Sequence, residues 1–131
     1  MTAIPLFDTA SNLQGLRSEL DAAIARVLDS GRYILGPEVA GFEAEFAEFV
    51  GAEHAIGVGN GTDALSIALL AAGVEAGDDV VCPSFSFYAS AEAALTIGAN
   101  VIYCDVDPAT MNVTAETVAA ALTPNTKAVI A

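Results

Sequence analysis

The sequence predicts an α/β fold in which helices cover a mostly parallel sheet. Short apolar runs without polar alternation recur from about residue 51 onward, which is typical of strands buried on both faces. Stretches with helical spacing of apolar residues separate these runs, so strand and helix alternate as in right-handed βαβ units. The predicted strands are 54–58, 79–83, 100–104 and 127–131, and the predicted helices between them are 62–72, 86–97 and 114–122.

A helix is predicted over residues 13–30, ahead of the alternating region. Its Leu, Ile and Val residues fall on one helical stripe. Ser11 or Asn12 can cap its start, and Gly31 stands where a helix normally ends.

A second helix is predicted over about 37–50, because Pro37 suits a first helical turn and Val and Phe residues form an apolar face. We therefore expect N-terminal helices over about 1–50 and βαβ units over about 51–131. The final apolar run, 127–131, has nothing after it to continue the layered fold, so we expect the chain to be a fragment.

Composition limits the class of protein. The chain has 131 residues, is 54% hydrophobic and carries a formal charge of −13, which fits a globular domain. A surface this acidic repels phosphate backbones, so a nucleic-acid partner is not expected. No apolar run reaches the ~20 residues that span a bilayer, and the N-terminus lacks a secretion signal. We expect a cytoplasmic protein without a membrane partner.

No metal site or disulfide is expected. Cys82 and Cys104 lie inside apolar runs, where a free cysteine behaves as a small hydrophobic residue, and His54 is the only histidine. Asp105 and Asp107 follow a predicted strand as a pair, but neither a histidine nor a third acid joins them. A turn beginning at Asp107 is the favoured interpretation.

The most informative stretch is the glycine-rich turn at 57–61, which leads into a helix at about Thr62. Glycines let a backbone turn sharply and approach a ligand closely. The free N–H groups of the first helical turn would point at that ligand, and Thr62 adds a hydroxyl. The turn thus suits an anion such as phosphate, although a plain βα turn explains the spacing equally well.

Two familiar phosphate motifs do not fit this turn. A P-loop requires Gly-Lys-Ser/Thr at the helix entry, where this chain has Gly61, Thr62 and Asp63. A dinucleotide fingerprint requires a glycine at the position of Thr62 and an acid at the end of the next strand, which ends at Ser84 without one.

Six segments follow one another along essentially the whole chain: PLFD, VLDSGRYILGPEVAGFEAEFAEFVG, EHAIGV, GNGTDALSIAL, GDDVVCPSFSFYASAEAALTIGANVIYCDVDPATMNV and LTPNTKAVIA. In order and spacing they resemble the DegT-type (DegT/StrS) sugar aminotransferases of pyridoxal-phosphate (PLP) fold-type I. The resemblance implies a three-layer α/β fold, with this chain forming the first part of the large domain and lacking the C-terminal domain.

The resemblance also implies a cofactor site for pyridoxal 5'-phosphate. Gly61, Thr62 and Asp63 match the turn whose backbone amides and Thr hydroxyl hold the cofactor phosphate. Phe87 matches the aromatic residue that stacks on the pyridine ring. From the residues alone, the aromatics of 85–88 would instead be core or helix-start residues.

The implied activity is transfer of an amino group, from glutamate or glutamine, to a nucleotide-linked keto-sugar by a homodimer. Tyr33 matches a loop near the dimer interface and active site. The Schiff-base lysine and the acid that pairs with the ring nitrogen are not identifiable, because Lys127, the only lysine, begins a strand and has no such role in the family. A PLP-dependent sugar dehydratase of the same family and a non-catalytic α/β module that binds a phosphorylated ligand remain alternatives.

The resemblance predicts a strand order as well. In fold-type I the first strand lies away from the second and third, so 79–83 should pair with 100–104 while 54–58 pairs with neither. A Rossmann-like order would instead place 54–58 beside 79–83.

Overall fold

The computed structural model describes residues 6–131, so Pro5 of the PLFD segment lies outside the described residues. The chain divides into two compact units, Met1–Gly57 and Val58–Ala131. The first is helical in its described part, and the second contains all the described strands.

Both predicted helices of the first unit are present. Helix α1 (Ala10–Leu13) continues through a 3-10 turn into α2 (Arg17–Ser30), and α3 spans Pro37–Val50. The expected cap at Ser11 or Asn12 is wrong because the helix begins earlier. The N-cap residue is Thr9, whose side chain makes no cap bond, and the preceding Asp8 accepts hydrogen bonds from the N–H and hydroxyl of Ser11 at 3.1 and 2.8 Å.

Helix α2 ends at Gly31, as predicted, and this glycine has a left-handed backbone conformation. Gly31 has φ +65°, and its N–H donates to the carbonyls of Val27 and Leu28. The two helices are joined by Arg26, whose guanidinium donates to both carboxylate oxygens of Glu38 at 2.7 and 2.9 Å. This exposed pair lowers the pKa of Glu38 through the hydrogen bond and the positive charge.

The strand predicted at 54–58 is wrong. Residues 54–58 form no strand hydrogen bonds with any other described residue. They are therefore paired with neither 79–83 nor 100–104, and that part of the predicted strand order agrees with the structure. Gly57, the last residue of the first unit, instead donates its N–H to Glu43 Oε1 at 2.7 Å. A Cβ at Gly57 would lie 3.3 Å from that oxygen, so a glycine allows the approach. Apolar spacing identified a segment in which exposed and half-buried residues alternate, but it did not identify a strand partner.

The second unit alternates helix and strand, and its sheet is parallel throughout the described residues. The elements are α4 (Gly61–Ala71), β1 (Asp79–Pro83), α5 (Ala89–Thr96), β2 (Asn100–Cys104), α6 (Ala115–Ala121) and β3 (Thr126–Val129). The strand order is β2-β1-β3, with the register pairing Val81 to Ile102 and to Val129. The prediction that 79–83 pairs with 100–104 is confirmed, and a Rossmann-like neighbour at 54–58 is excluded because β1 already has both neighbours.

The core of this unit lies between β1 and the pair α4 and α5. Val80 and Cys82 are fully buried and cluster with Leu69 of α4 and Ala93 of α5. Burial, with Cys104 nearby, raises the pKa of the Cys82 thiol. Both cysteines are free, as predicted.

A buried carboxylate ties the three strands together at their amino ends. Asp79, which begins β1, accepts a hydrogen bond from the Thr123 hydroxyl at 2.6 Å and from Asn100 Nδ2 at 3.1 Å. Its N–H donates to the carbonyl of Asn125 at 3.1 Å. These partners begin β2 and form the turn before β3, so the contacts hold the strand starts level.

Asp107 forms a turn, as predicted. Its carboxylate accepts the N–H groups of Ala109 and Thr110, both at 2.9 Å, and these bonds lower the pKa of Asp107. Its carbonyl accepts the N–H of Met111, whose φ is +58°.

Candidate functional site

The start of α4 is capped by Asn60, a residue to which sequence reasoning gave no capping role. Asn60 is extended, and its Oδ1 accepts the N–H of Asp63 at 2.9 Å. Its Nδ2 donates in return to Asp63 Oδ2 at 3.0 Å. An Asn three residues before an acid at a helix entry is the spacing of a reciprocal cap, and this signal was available in the sequence.

Two N–H groups of this helix start remain open. Among the described residues, neither Gly61 N–H nor Thr62 N–H has a hydrogen-bond acceptor. Apart from its chain neighbours and the backbone of α4, no described heavy atom lies within 4 Å of the place where a Cβ on Gly61 would stand. Thr62 is half-buried beside them. Such N–H groups, at the positive end of a helix dipole, attract an anion.

Asp63 differs from the other two predicted phosphate contacts. Its N–H is already bonded to Asn60, and its carboxylate brings a negative charge to the same turn. A Cβ on Gly59 would lie 2.9 Å from that carboxylate, so Gly59 makes room for Asp63. None of the glycines at 57, 59 and 61 has a positive φ, so the turn does not depend on left-handed glycine.

Phe87 lies in the loop between β1 and α5, and its side chain is 82% exposed. Phe87 is therefore not in the core of the described chain, while the alternative that it belongs to a helix start fits, because its carbonyl accepts the N–H of Ser90 in the first turn of α5. With Tyr88 and Tyr103, it lines a cavity of about 260 Å³ at the ends of β1 and β2.

The packing of α4 on α5 fixes where their N-termini lie. The Ser66 hydroxyl, midway along α4, donates to the carbonyl of Ala93, midway along α5, at 3.2 Å. Beyond the C-termini of the two helices, Gly77 N–H donates to the carbonyl of Gly98 at 2.9 Å. The helices therefore run in the same direction, and both N-termini lie at the end of the sheet that carries the carboxyl ends of β1 and β2.

Thr62 and Phe87 thus share one end and one face of the sheet. Thr62 is in the first turn of α4, and Phe87 directly precedes α5. Ligands of open α/β sheets bind outside the carboxyl ends of the strands, which is this end. The cavity that Phe87 lines does not extend to Thr62, so the described residues do not join the two in one pocket.

Lys127 lies at the opposite end. It belongs to the first residues of β3, and its Cε is 4.0 Å from where a Cβ on Gly73 would stand, just beyond the C-terminus of α4. A helix rises ~1.5 Å per residue, so Lys127 is on the order of 15 Å from Thr62 along that axis. A catalytic role for Lys127 at the predicted cofactor site is therefore excluded by position.

Tyr33 belongs to the first unit, where it lies between α2 and α3 with 66% of its surface exposed. Its assignment to a substrate or interface loop stays a prediction.

Over residues 6–131, no helix is long and apolar enough to cross a membrane. No group of three or more His, Cys, Asp or Glu side chains in that range is arranged to hold a metal ion.

A parallel sheet flanked by helices, with two open N–H groups of a helix start at the carboxyl ends of its strands, defines an α/β protein. Residues 14–131 match the DegT/DnrJ/EryC1/StrS aminotransferase family, and the chain belongs to this family. The resemblance predicted from the sequence is confirmed.

Relatives and solved structures agree with this assignment. The chain is 45% identical over 127 residues to the UDP-2-acetamido-2-deoxy-3-oxo-D-glucuronate aminotransferase of Pseudomonas aeruginosa, covering 97% of this chain and 35% of the relative. It superimposes with a TM-score of 0.93 on S. venezuelae DesV, solved with a ketimine intermediate, at 43% identity over 98% of this chain and 35% of that one.

A more distant structure has the same fold. NtdA from Bacillus subtilis, solved with bound cofactor PMP, gives a TM-score of 0.89 at 30% identity, covering 98% of this chain and 30% of that one. The predicted α/β fold of the PLP-dependent aminotransferases is confirmed. The chain spans about a third of the length of the curated relatives it matches.

Proposed function

We propose that the chain is the first part of the PLP-binding domain of an aminotransferase. This enzyme transfers an amino group from glutamate or glutamine to a nucleotide-linked keto-sugar. The observation that carries the proposal is the open start of α4, at the carboxyl ends of the strands, in a chain that belongs to the family from residue 14 to residue 131. The nucleotide-sugar aminotransferase named above, 45% identical, supports the substrate class.

The residues at this end fit the phosphate of PLP. Gly61 and Thr62 offer two N–H groups without acceptors, Thr62 adds a hydroxyl, and open space stands before Gly61. Backbone amides and the helix dipole would balance the phosphate charge here without a cationic side chain. Asp63 would act through Asn60, holding the turn in shape rather than binding phosphate with an N–H that is already bonded.

Phe87 is the side chain that would hold the cofactor ring. Its exposed aromatic face can stack on a pyridine ring and exclude water from one side of it. PLP, when bound, supplies the electron sink for chemistry at the amino-bearing carbon. This chain binds and orients the cofactor.

The groups that move protons and hold the cofactor covalently are proposed to come from the rest of a longer polypeptide. The position of Lys127, at the far end of α4 from Thr62, supports this. The length of the relatives, of which the chain covers about a third, supports it too. We assign helices to about 1–50 and the first part of the PLP-binding domain to about 51–131.

Three further features belong to the same proposal. The protein works as a homodimer in which Tyr33 lies near the interface and the substrate, as the family resemblance implies. It is cytoplasmic, which the free, buried Cys82 and Cys104 support. Its amino-sugar product serves polysaccharide or antibiotic biosynthesis.

The experiment is a turnover assay on the intact protein with PLP, glutamate and a UDP-linked 3-keto-sugar. We expect continued formation of 2-oxoglutarate together with the amino-sugar. With UDP-N-acetylglucosamine, which lacks the keto group, 2-oxoglutarate should stop at about one equivalent per bound cofactor, because the amino group then has no acceptor. Loss of water from the sugar without amino transfer would identify a dehydratase instead. Binding of phosphorylated ligands without any PLP-dependent visible absorbance would identify a binding module.

A further inference from the structure

The cavity beside Phe87 is lined by side chains that have no part in the proposed binding of the PLP phosphate and pyridine ring, Phe87 excepted. It has a volume of about 260 Å³ and opens at the carboxyl ends of β1 and β2. Three aromatic rings and three hydroxyl-bearing serines form most of its lining: Phe87, Tyr88, Tyr103, Ser84, Ser86 and Ser90.

The walls of this cavity are held by hydrogen bonds of the loop itself. Ser84 N–H donates to the carbonyl of Cys104 at 2.8 Å, which joins the loop to the end of β2. The hydroxyls of Ser86 and Ser90 are 3.2 Å apart and share a hydrogen bond. A pocket whose walls are already fixed can bind a small molecule without ordering them first.

Charge decides which ligand the cavity suits. No Asp, Glu, Lys, Arg or His side chain is among the described residues that line it. An ammonium group would therefore meet no carboxylate. A phosphate would meet neither a cation nor the open donors found at the start of α4, because the N–H groups of Ser90 and Ala91 are already bonded to the carbonyls of Phe87 and Tyr88. Aromatic faces beside hydroxyls suit a neutral ring with apolar C–H faces and hydroxyl groups at its rim, which describes a sugar ring.

We propose that this cavity binds the sugar ring of the nucleotide-linked substrate, with Tyr103 as the wall on β2 and Ser84 as a hydroxyl contact. The inference rests on the proposed function, because it names a place for the substrate of that reaction. Phe87 lines the cavity and is the proposed ring-stacking side chain, so a sugar bound here lies beside the cofactor ring.

The test compares two ligands that differ only in the sugar. Binding of UDP-N-acetylglucosamine and of UDP to the intact PLP-loaded protein is measured by calorimetry for wild type, Tyr103→Ala and Ser84→Leu. Tyr103 is 58% exposed and Ser84 is on an exposed loop, so neither change disrupts the core. Leu122→Ala is the matched control, because it truncates another half-exposed side chain of the same unit, outside the cavity lining.

We expect each cavity variant to weaken UDP-N-acetylglucosamine about tenfold, the loss of roughly one buried contact. UDP affinity and the visible absorbance of bound PLP should not change, and Leu122→Ala should match wild type. Unchanged binding of both ligands in both cavity variants overturns the inference, as does an equal loss for UDP, which would place the nucleotide there. Sugar-dependent loss in a protein without PLP absorbance or amino transfer would keep the cavity assignment and contradict the proposed function.

Discussion

The Thr62 hydroxyl is the side-chain group whose removal most sharply tests the phosphate site. Thr62 is half-buried in the first turn of α4, next to the two N–H groups that lack acceptors. A hydrogen bond to a charged group contributes ~1.5–3 kcal/mol, and each 1.4 kcal/mol is a factor of ten. Thr62→Ala should therefore weaken PLP binding by about 10- to 150-fold, while Thr62→Ser, which keeps the hydroxyl, should stay near wild type.

The assay is an absorbance titration of the intact apoprotein with PLP and, separately, with pyridoxal, which lacks the phosphate. Thr62→Ala should weaken the binding of PLP and leave the binding of pyridoxal unchanged. Thr96→Ala is the matched control, since its hydroxyl is bonded to the Glu92 carbonyl at 2.7 Å near the other end of α5. Equal PLP affinity in wild type and Thr62→Ala, or an equal loss with pyridoxal, would refute Thr62 as a phosphate ligand.

Three further outcomes follow from the contacts in the fold. Asp79→Ala should lower the free energy of unfolding by about 1–2 kcal/mol, because the buried carboxylate's hydrogen bonds to Thr123 and Asn100 are lost while Asn100 keeps its bond to the Gly77 carbonyl; an unchanged urea midpoint would contradict this. Gly98→Ala should lower the free energy of unfolding by about 1–2 kcal/mol, because the φ of Gly98 is +82°. Gly41→Ala, in open space on α3, should raise it by about 0.5–1 kcal/mol. The thermal midpoints of the two variants must therefore move in opposite directions. Residues 1–131 expressed alone with PLP and glutamate should not transaminate and should self-associate, because unpaired sheet edges pair between molecules; a stable monomer that turns over through Lys127 would contradict both expectations.

Helices were predictable wherever spacing and end signals agreed. Pro37 and the apolar face of Val and Phe residues predicted a helix over about 37–50, and α3 has those bounds in the structure. Local rules suffice there because each signal acts within one turn. At 54–58 the same rules failed, because a strand depends on a partner elsewhere in the chain. The apolar residues were visible, but the Glu43 contact to Gly57 was not.

The site was predictable in part. Sequence position placed Gly61 and Thr62 at a helix start, where the structure leaves their N–H groups open. The sequence analysis did not predict that the Asp63 N–H donates to Asn60, although an Asn three residues before an acid at a helix start indicates such a cap. The arrangement of Phe87 on the same end as Thr62 depends on α4 packing against α5, a tertiary contact that no local pattern contains.

A crystal structure of the intact protein with PLP tests the proposed cofactor site most directly. The account predicts phosphate oxygens within ~2.7–3.2 Å of the N–H groups of Gly61 and Thr62, with the Phe87 ring against the pyridine ring. A phosphate bound elsewhere, with these two N–H groups facing only water, would contradict it.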